Sequence, residues 1–250
     1  MKICAAQTRP VIGDIDQNII LHRRFIEQAA TGGADLIVFP ELSLTGYEPA
    51  LAQVLALRLE DGRLDVFQAM AATHNLTIGI GAPTRHPDGV CISLIVFRPD
   101  KPRHIYSKQY LHPDEEAFFV SGGISENLVG DGNNVALAIC YELSVPVHAA
   151  QAFSRGAAVY VASVAKFANG VDRAAQRLSE IARSYAMTVV MANAVGPADG
   201  GECAGQTAVW NHQGILVAQL DNRHEGQILY DTDTQESAAM AAGPCPPGET

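Results

Sequence analysis

Basic residues are scarce in this chain of 250 residues: 17 Lys and Arg stand against 27 Asp and Glu, which gives a formal net charge of −10 with histidines neutral. Proteins that bind nucleic acids contact phosphate through clustered Lys and Arg, and the sequence contains no such cluster. An anionic membrane surface would attract a chain of this charge equally poorly. The composition therefore argues against nucleic acid and membrane as partners.

Cysteines are few and scattered, and the five of them stand at positions 4, 91, 140, 203 and 245. An odd number without CxxC or Cys/His spacing is typical neither of a disulfide framework nor of a zinc site. Apolar runs such as Val135–Tyr141 are much shorter than the roughly 18 residues that span a bilayer. The first residues, MKICAAQ, lack the layout of a signal peptide. We therefore expect a cytoplasmic protein with reduced thiols, no metal site and no membrane segment.

Short apolar, β-branched segments alternate with longer amphipathic ones, which is the pattern of an α/β protein. Several segments are apolar at nearly every position, as expected of strands that are covered on both faces. We predict strands over residues 2–7, 35–39, 77–82, 91–98, 135–140, 158–164, 188–194, 207–210, 215–220 and 227–230, and helices over 16–30, 63–74, 146–155 and 171–186.

Two further expectations concern the organisation of the chain. The segments 77–98 and 207–230 resemble antiparallel hairpins, so we expect mixed sheets rather than purely parallel ones. A single domain is predicted over residues 1–236, because no composition shift or internal repeat divides it. The remaining segment, 237–250, is rich in Pro, Gly and Ala and is predicted to be an irregular tail.

Three apolar segments end in a reactive side chain: LIVFPE ends at Glu41, HIYSK at Lys108 and VALAIC at Cys140. Ligands of α/β sheets lie at the carboxyl ends of strands, so these three side chains could converge on one pocket. Each has an ordinary explanation as well. A cysteine in an apolar strand is usually a small buried hydrophobe, and a lysine is usually a solvated surface charge.

Together the three residue types form a coherent catalytic set. A thiol is a good nucleophile only as the thiolate, which a neighbouring carboxylate can generate by taking the proton. A neighbouring ammonium stabilises both the thiolate and the oxyanion that develops on a carbonyl under attack. Spacing alone does not decide between this set and the ordinary explanations.

The chain resembles the nitrilase superfamily of carbon–nitrogen hydrolases from about residue 2 to residue 233. The motifs that carry the resemblance are AAQTRPVIGDIDQNI, GADLIVFPELSLTGY, YSKQYLHPDEEAFFVSG, VALAICYE and AGQTAVWNHQGILVAQ. The order Glu, Lys, Cys at these positions is the signature of that family. The resemblance implies a four-layer α-β-β-α sandwich with two mixed β-sheets, a homodimer or larger homo-oligomer, and an enzyme without a cofactor.

The resemblance also implies roles for individual residues. Cys140 would be the nucleophile, Glu41 the general base and Lys108 the cation that stabilises the oxyanion. A second glutamate between the lysine and the cysteine would position Lys108 and the substrate. Glu115 and its neighbour Glu116 are both candidates, and the register to Gly122 favours Glu115.

Three further positions are expected near the substrate, with ordinary alternatives left open. Tyr47 closes the PELSLTGY segment and would line the pocket near Glu41, or would be a packing tyrosine. Glu142, two residues after the nucleophile, would contact substrate or orient the turn. Lys166 would pair with a substrate carboxylate or with Glu142, or would be a solvated lysine.

The chain departs from many amidases of this family after CYE, where it reads LSVPVHAA and has His148 in place of an expected carboxylate. It also lacks the CWE pattern of true nitrilases, which disfavours nitrile hydrolysis. The expected function is hydrolysis of a non-peptide carbon–nitrogen bond in a small amide through a cysteine thioester, with release of ammonia or an amine. The alternatives are a non-catalytic binding member of the same fold and an acyl transferase.

Overall fold

The computed structural model describes residues 1–123, 128–129 and 134–243. Within these ranges the strands are β1 (Lys2–Gln7), β2 (Leu36–Val38), β3 (Thr77–His86), β4 (Gly89–Arg98), β5 (Lys101–Ser107), β6 (Leu128–Val129), β7 (Val135–Ile139), β8 (Val159–Val164), β9 (Thr188–Asn193), β10 (Val195–Ala198), β11 (Gly201–Ala204), β12 (Ala208–Trp210), β13 (Leu216–Gln219), β14 (Gly226–Asp231) and β15 (Ser237–Ala241). The helices are α1 (Ile15–Thr31), α2 (Ala52–Leu55), α3 (Asp65–His74), α4 (Pro146–Ser154) and α5 (Ala168–Tyr185).

The strands form two large mixed sheets and a separate β10–β11 hairpin. The first sheet has the order β15-β14-β1-β2-β3-β4-β5, and the second has the order β13-β12-β9-β8-β7-β6. In the first sheet the parallel strands are β1, β2 and β3; in the second they are β7, β8 and β9. The parallel strands therefore lie in the middle of each sheet, flanked by antiparallel partners.

The two sheets pack face to face, and helices cover their outer faces. Along β1, Ile3 and Ala5 belong to the core between the sheets, whereas Cys4 and Ala6 belong to the core beneath α1 and α3. This alternation follows from the two-residue repeat of a strand. Helices α4 and α5 cover the second sheet through buried side chains such as Leu178. The predicted α/β fold of four α-β-β-α layers with two mixed sheets is confirmed.

The predicted strands and helices are all present, with ends within four residues of the prediction, but the segment 207–230 is not one hairpin. Strands β12 and β13 pair in the second sheet, whereas β14 pairs with β1 in the first sheet over Lys2 to Gln7. The chain crosses between sheets after Leu220. The sequence pattern missed this because an antiparallel strand has the same alternation whichever neighbour it finds.

The segment from residue 237, predicted to be an irregular tail, begins with a strand. Residues Ser237–Ala241 form β15, which pairs antiparallel with β14 at the edge of the first sheet. An edge strand is held by backbone hydrogen bonds, so its small residues, SAAMA, need no apolar pattern. Cys245 and the rest of 244–250 lie outside the described residues. A search of the described helices for one long and apolar enough to cross a membrane finds none.

A glycine in β3 lets the loop after β2 approach the first sheet closely. A Cβ atom at Gly81 would lie 2.2 Å from the carbonyl oxygen of Pro40 and 2.5 Å from the backbone nitrogen of Leu42. Both are backbone atoms that cannot move independently of the loop. The carbonyl of Gly81 also accepts a hydrogen bond from the Leu44 N–H at 2.9 Å. The position of Glu41, which lies between Pro40 and Leu42, therefore depends on this glycine.

Gly81→Ala is expected to lower the free energy of unfolding by about 1–3 kcal/mol, because the added methyl group collides with the Pro40–Leu42 backbone. Gly79→Ala in the same strand is the matched control, since its Cβ would meet only ordinary contacts at 3.8 Å. That control should change the free energy by less than about 1 kcal/mol. Urea denaturation measures both variants, and equal destabilisation would contradict this account of the loop.

Candidate active site

Glu41 lies in the loop after β2 and is held by both sheets. Its backbone N–H donates to the carbonyl of Val164, at the end of β8, at 3.3 Å. The hydroxyl of Ser163 donates to the carbonyl of Phe39 at 2.8 Å. The next residue, Leu42, has a φ of +53°, a left-handed conformation that non-glycine residues adopt with strain. Glu41 is 2% exposed.

Lys108 follows β5 and places its ammonium group between two buried carboxylates. Its Nζ donates to Oε1 of Glu41 at 2.8 Å and to Oε1 of Glu115 at 2.7 Å. The residue is 0% exposed. Burial by itself lowers the pKa of Lys108, but the negative charges of Glu41, Cys140 and Glu115 outweigh it and raise that pKa above its usual range. The lysine therefore stays charged in the interior.

Of the two neighbouring glutamates, the structure brings Glu115 to the lysine and leaves Glu116 exposed. Besides Lys108, the Glu115 carboxylate accepts a hydrogen bond from the Tyr47 hydroxyl at 3.0 Å. It also accepts one from the backbone N–H of His112 at 2.8 Å, which fixes the turn around residues 113–115. All its donors come from the protein, and its side chain is 2% exposed.

Cys140 follows β7 and begins a 3₁₀ turn, with a φ of +42°. A non-glycine residue in this left-handed region costs of order 1–3 kcal/mol and is characteristic of functional sites. The residue is buried, with 8% of its surface exposed. The sharp turn at the strand end aims the thiol toward Glu41 and the lysines rather than into the sheet.

The electrostatics favour a protonated thiol beside a proton acceptor. Burial raises the pKa of Cys140, and the neighbouring Glu41 raises it further, while Lys166 and Lys108 lower it. Burial also raises the pKa of Glu41, and the charge of Glu115 adds to that increase against the opposing pull of Lys108. The Oε2 atom of Glu41 is buried without a hydrogen-bond partner among the described residues. A carboxylate oxygen of this kind can accept the thiol proton.

Tyr47 and a small apolar cluster lie beside this group. Burial, together with the charges of Glu41 and Glu115, raises the pKa of Tyr47, so its hydroxyl stays a donor. Its ring meets that of Phe167 edge-on, with centroids 6.5 Å apart. Both rings pack on a cluster of small buried residues: Ala165, Ala194, Ala198 and Cys203.

Lys166 is half-buried and lies near the Cys140 thiol rather than near Glu142. The charge that Cys140 can carry raises the pKa of Lys166, against the effect of burial, and the two side chains are in hydrogen-bonding contact. The Lys166 backbone is fixed on both sides by the Asn193 side chain, at 2.8 and 3.2 Å. Within the described part of the chain, no carboxylate forms an ion pair with its ammonium group.

Glu142 is fully buried and directed at protein donors. Its oxygens accept hydrogen bonds from the Tyr106 hydroxyl at 2.6 Å and from the backbone N–H groups of Gln109 at 2.6 Å and Ile139 at 2.7 Å. Of the two roles considered for it, contact with substrate and orientation of the turn, this placement provides the geometry for the second.

Several residues of this neighbourhood were not singled out from the sequence. Tyr106 and Tyr160 belong to the hydrogen-bond network around Glu142, and Phe167 and Asn193 frame Lys166. Tyr106 had a detectable signal, because it stands two residues before Lys108 at the end of an apolar segment, and the two-residue repeat of a strand puts both on one face if the strand extends that far. No group of metal-ligating side chains occurs among the residues that the structure describes.

Comparison with solved structures shows that this chain shares the fold of a known amidase. The chain superimposes on the amidase from Nesterenkonia sp. AN1 with a TM-score of 0.81, at 24% identity, over 92% of each chain. Another structure of that amidase shows the result of Michael addition of acrylamide at its active-site cysteine.

Comparison with curated proteins finds distant relatives over most of the chain. The 2-oxoglutaramate amidase of Bacillus subtilis is 28% identical over 234 residues, which cover 91% of this chain and 89% of the relative. The glutamine-dependent NAD(+) synthetase of Acinetobacter baylyi is 26% identical over 261 residues. This chain spans 47% of that synthetase and 39% of the corresponding enzyme of Mycobacterium leprae, which is less than half the length of either.

A sequence model of the family described as carbon-nitrogen hydrolase matches residues 2–242. This range contains both large sheets and all the residues described above around Lys108. Because the match extends over nearly the whole chain, the protein belongs to the carbon-nitrogen hydrolase family of the nitrilase superfamily.

Proposed function

We propose that this protein hydrolyses the amide bond of a small molecule through a thioester on Cys140. The observation that carries the proposal is the buried Lys108 ammonium, held between Glu41 and Glu115 at 2.8 and 2.7 Å beside the strained Cys140 turn. A binding protein would have no need for an acceptor, a cation and a thiol together in one dry site. Membership of the carbon-nitrogen hydrolase family supports the same chemistry.

In the proposed reaction Glu41 accepts the proton of Cys140 as the sulfur attacks the amide carbon. The resulting oxyanion is stabilised by Lys108 and by the backbone N–H that follows the nucleophile. Glu41 returns the proton to the departing nitrogen, the carbon–nitrogen bond breaks, and a thioester remains. Glu41 then takes a proton from water, whose oxygen attacks the thioester to release the carboxylic acid and restore the thiol. Glu115 holds Lys108 and keeps it charged throughout.

The substrate we propose is a small amide that also carries a carboxylate. Lys166 supports this, because its half-buried ammonium contacts the Cys140 thiol but forms no ion pair with a carboxylate of the described residues, so a substrate carboxylate can supply one. The small side chains around Tyr47 suit a short substrate. Two relatives are named for glutamine and for 2-oxoglutaramate, which are both short carboxylates with a terminal amide. Acyl transfer from the same thioester is the second candidate, and it differs only in the final acceptor.

We also propose that the protein works as a homodimer in a reducing, cytoplasmic environment. Helix α4 exposes two large apolar side chains, Val147 at 45% and Phe153 at 51%, and side chains of this kind are frequent in subunit interfaces. The four cysteines of the described residues are all free, which suits a compartment that keeps thiols reduced.

Cys140→Ala is expected to abolish ammonia release, because the alanine provides no nucleophile, while the melting temperature stays close to that of the wild type. The measurement is coupled ammonia release against ω-amides, N-carbamoyl amino acids, aliphatic amides and one nitrile. The carboxylic acid product is quantified in parallel, since an ester or amide product would instead indicate acyl transfer. Ammonia release by the Cys140→Ala protein at the wild-type rate would contradict the mechanism.

Glu115→Gln is expected to lower kcat by about 100-fold, because the neutral amide no longer holds the Lys108 ammonium where the oxyanion develops. Glu116→Gln is the matched control: it makes the same chemical change one residue away on an exposed side chain and should stay within about twofold of wild type. Steady-state kinetics with the best amide of the panel measure both. A large loss in the Glu116 variant alone would reverse the assignment.

Lys166→Met is expected to raise KM for succinamate by roughly 10- to 100-fold, which is the range for losing one hydrogen bond to a charged group. Butyramide is the matched control substrate, since a methyl group replaces the carboxylate at the same distance from the amide. Its KM should change by less than about threefold in the same variant. Equal changes for both amides would show that Lys166 does not recognise the carboxylate.

A further inference from the structure

A single buried carboxylate joins the backbone next to Lys108 to the backbone next to Cys140. Oε1 of Glu142 accepts from the N–H of Gln109 at 2.6 Å, and Oε2 accepts from the N–H of Ile139 at 2.7 Å. Gln109 is the residue after Lys108, and Ile139 is the residue before Cys140. One short side chain therefore spans the two segments that carry the cation and the thiol.

We propose that Glu142 is a positioning residue that sets the separation between the Lys108 ammonium and the Cys140 sulfur. The proposal rests on the roles proposed above for these two residues. Strands β5 and β7 belong to different sheets, so the hydrogen bonds within either sheet do not fix the distance between their ends. Hydrogen bonds to a charged acceptor are short and directional, and at a fully buried carboxylate water does not compete with them.

A second layer of hydrogen bonds holds the carboxylate itself. The Tyr106 hydroxyl donates to Oε2 of Glu142 at 2.6 Å and lies 2.9 Å from Nε2 of His148, whose Nδ1 lies 2.8 Å from the Tyr160 hydroxyl. The Tyr106 proton is committed to Glu142, so His148 must donate from Nε2. Its Nδ1 then accepts the proton of Tyr160. This order satisfies every member only when His148 is neutral and Glu142 is ionised.

The charge states agree with that order above about pH 7, where His148 is neutral and Glu142 is ionised. Burial lowers the pKa of His148 to about 4 and raises the pKa of Glu142 to about 7, against the hydrogen bonds from Tyr106, Ile139 and Gln109 that lower it. Three groups donate directly to the Glu142 carboxylate: the Tyr106 hydroxyl and the N–H groups of Gln109 and Ile139. The His148 imidazole lies 3.5 Å from it, and Tyr160 and Lys108 act on it from farther away. Protonation of Glu142 would remove the negative charge that accepts three hydrogen bonds. It would therefore weaken the connection between the backbone next to Lys108 and the backbone next to Cys140.

The first test compares two reactions of Cys140 in the Glu142→Gln protein. Acylation by p-nitrophenyl acetate, followed as the p-nitrophenolate burst, develops an oxyanion and needs Lys108 in place. Alkylation by iodoacetamide, followed by mass spectrometry, needs only the thiolate, and its rate is taken at the high-pH limit because Lys108 also lowers the pKa of the Cys140 thiol. Glutamine keeps the size of the side chain but directs an NH₂ group at one of the two backbone donors. We expect acylation to slow by about 100-fold and alkylation to change by less than about threefold.

The ratio of the two rates separates positioning from general structural support. If both rates fall together, or if neither falls, the proposal is overturned. The Cys140→Ala protein corrects for the other cysteines, and the melting temperature establishes that the variant is folded. An activated ester is used so that the result does not depend on the natural amide. Failure of the ammonia panel would then count against the proposed function alone.

Tyr106→Phe provides a second test that keeps both backbone connections and nearly the same volume. Loss of the hydroxyl removes one of three donors to Glu142, which raises the pKa of that carboxylate further. The acidic limb of the acylation rate should therefore move to higher pH, while the pH profile of iodoacetamide alkylation stays in place. An unchanged acylation profile, or an equal displacement of both profiles, would overturn the proposal even if the Glu142→Gln protein did not fold.

Discussion

The structure depends on one buried ion group, the Lys108 ammonium between the carboxylates of Glu41 and Glu115. A lone ammonium in a dry interior would lose its proton, and a lone carboxylate would keep one. Each charge is tolerable here only because the others are within hydrogen-bond distance. Three separate segments must therefore end at one point, and the loops that carry them are fixed by further hydrogen bonds and by glycine at Gly81.

Two further sets of polar groups, one on each side, hold this ion group and the adjacent backbone in place. On one side, Tyr47 donates to the Glu115 carboxylate that binds Lys108, next to small apolar residues. On the other side, Glu142 and its tyrosine and histidine partners hold the backbone next to Lys108 and Cys140. Lys108 and Cys140 thus lie between a side of small apolar residues and a side in which Glu142, Tyr106, His148 and Tyr160 are joined by hydrogen bonds.

The sequence predicted the layered α/β fold and the strand ends that carry Glu41, Lys108 and Cys140, because these follow from apolar periodicity and local order. It left Glu115 and Glu116 as alternatives, since adjacent residues differ only in the turn that orients them. It could not assign β14 to the first sheet or find β15, because pairing partners and edge hydrogen bonds leave little trace in residue type. The link between Tyr106 and His148 was equally hidden, since it joins residues 42 positions apart.

The loop that carries Glu41 is attached at its tip to the opposite sheet, through the Glu41 N–H to Val164 and the Ser163 hydroxyl to Phe39. Glu41 is thus tied to the second sheet, which also carries Cys140, although its own strand belongs to the first. A small slide of one sheet over the other would strain this attachment before it separated the Glu41 carboxylate from the Cys140 thiol. Interior substitutions that shift the two sheets slightly are therefore expected to change the conformation of this loop first, and to leave the distance between Glu41 and Cys140 nearly unchanged.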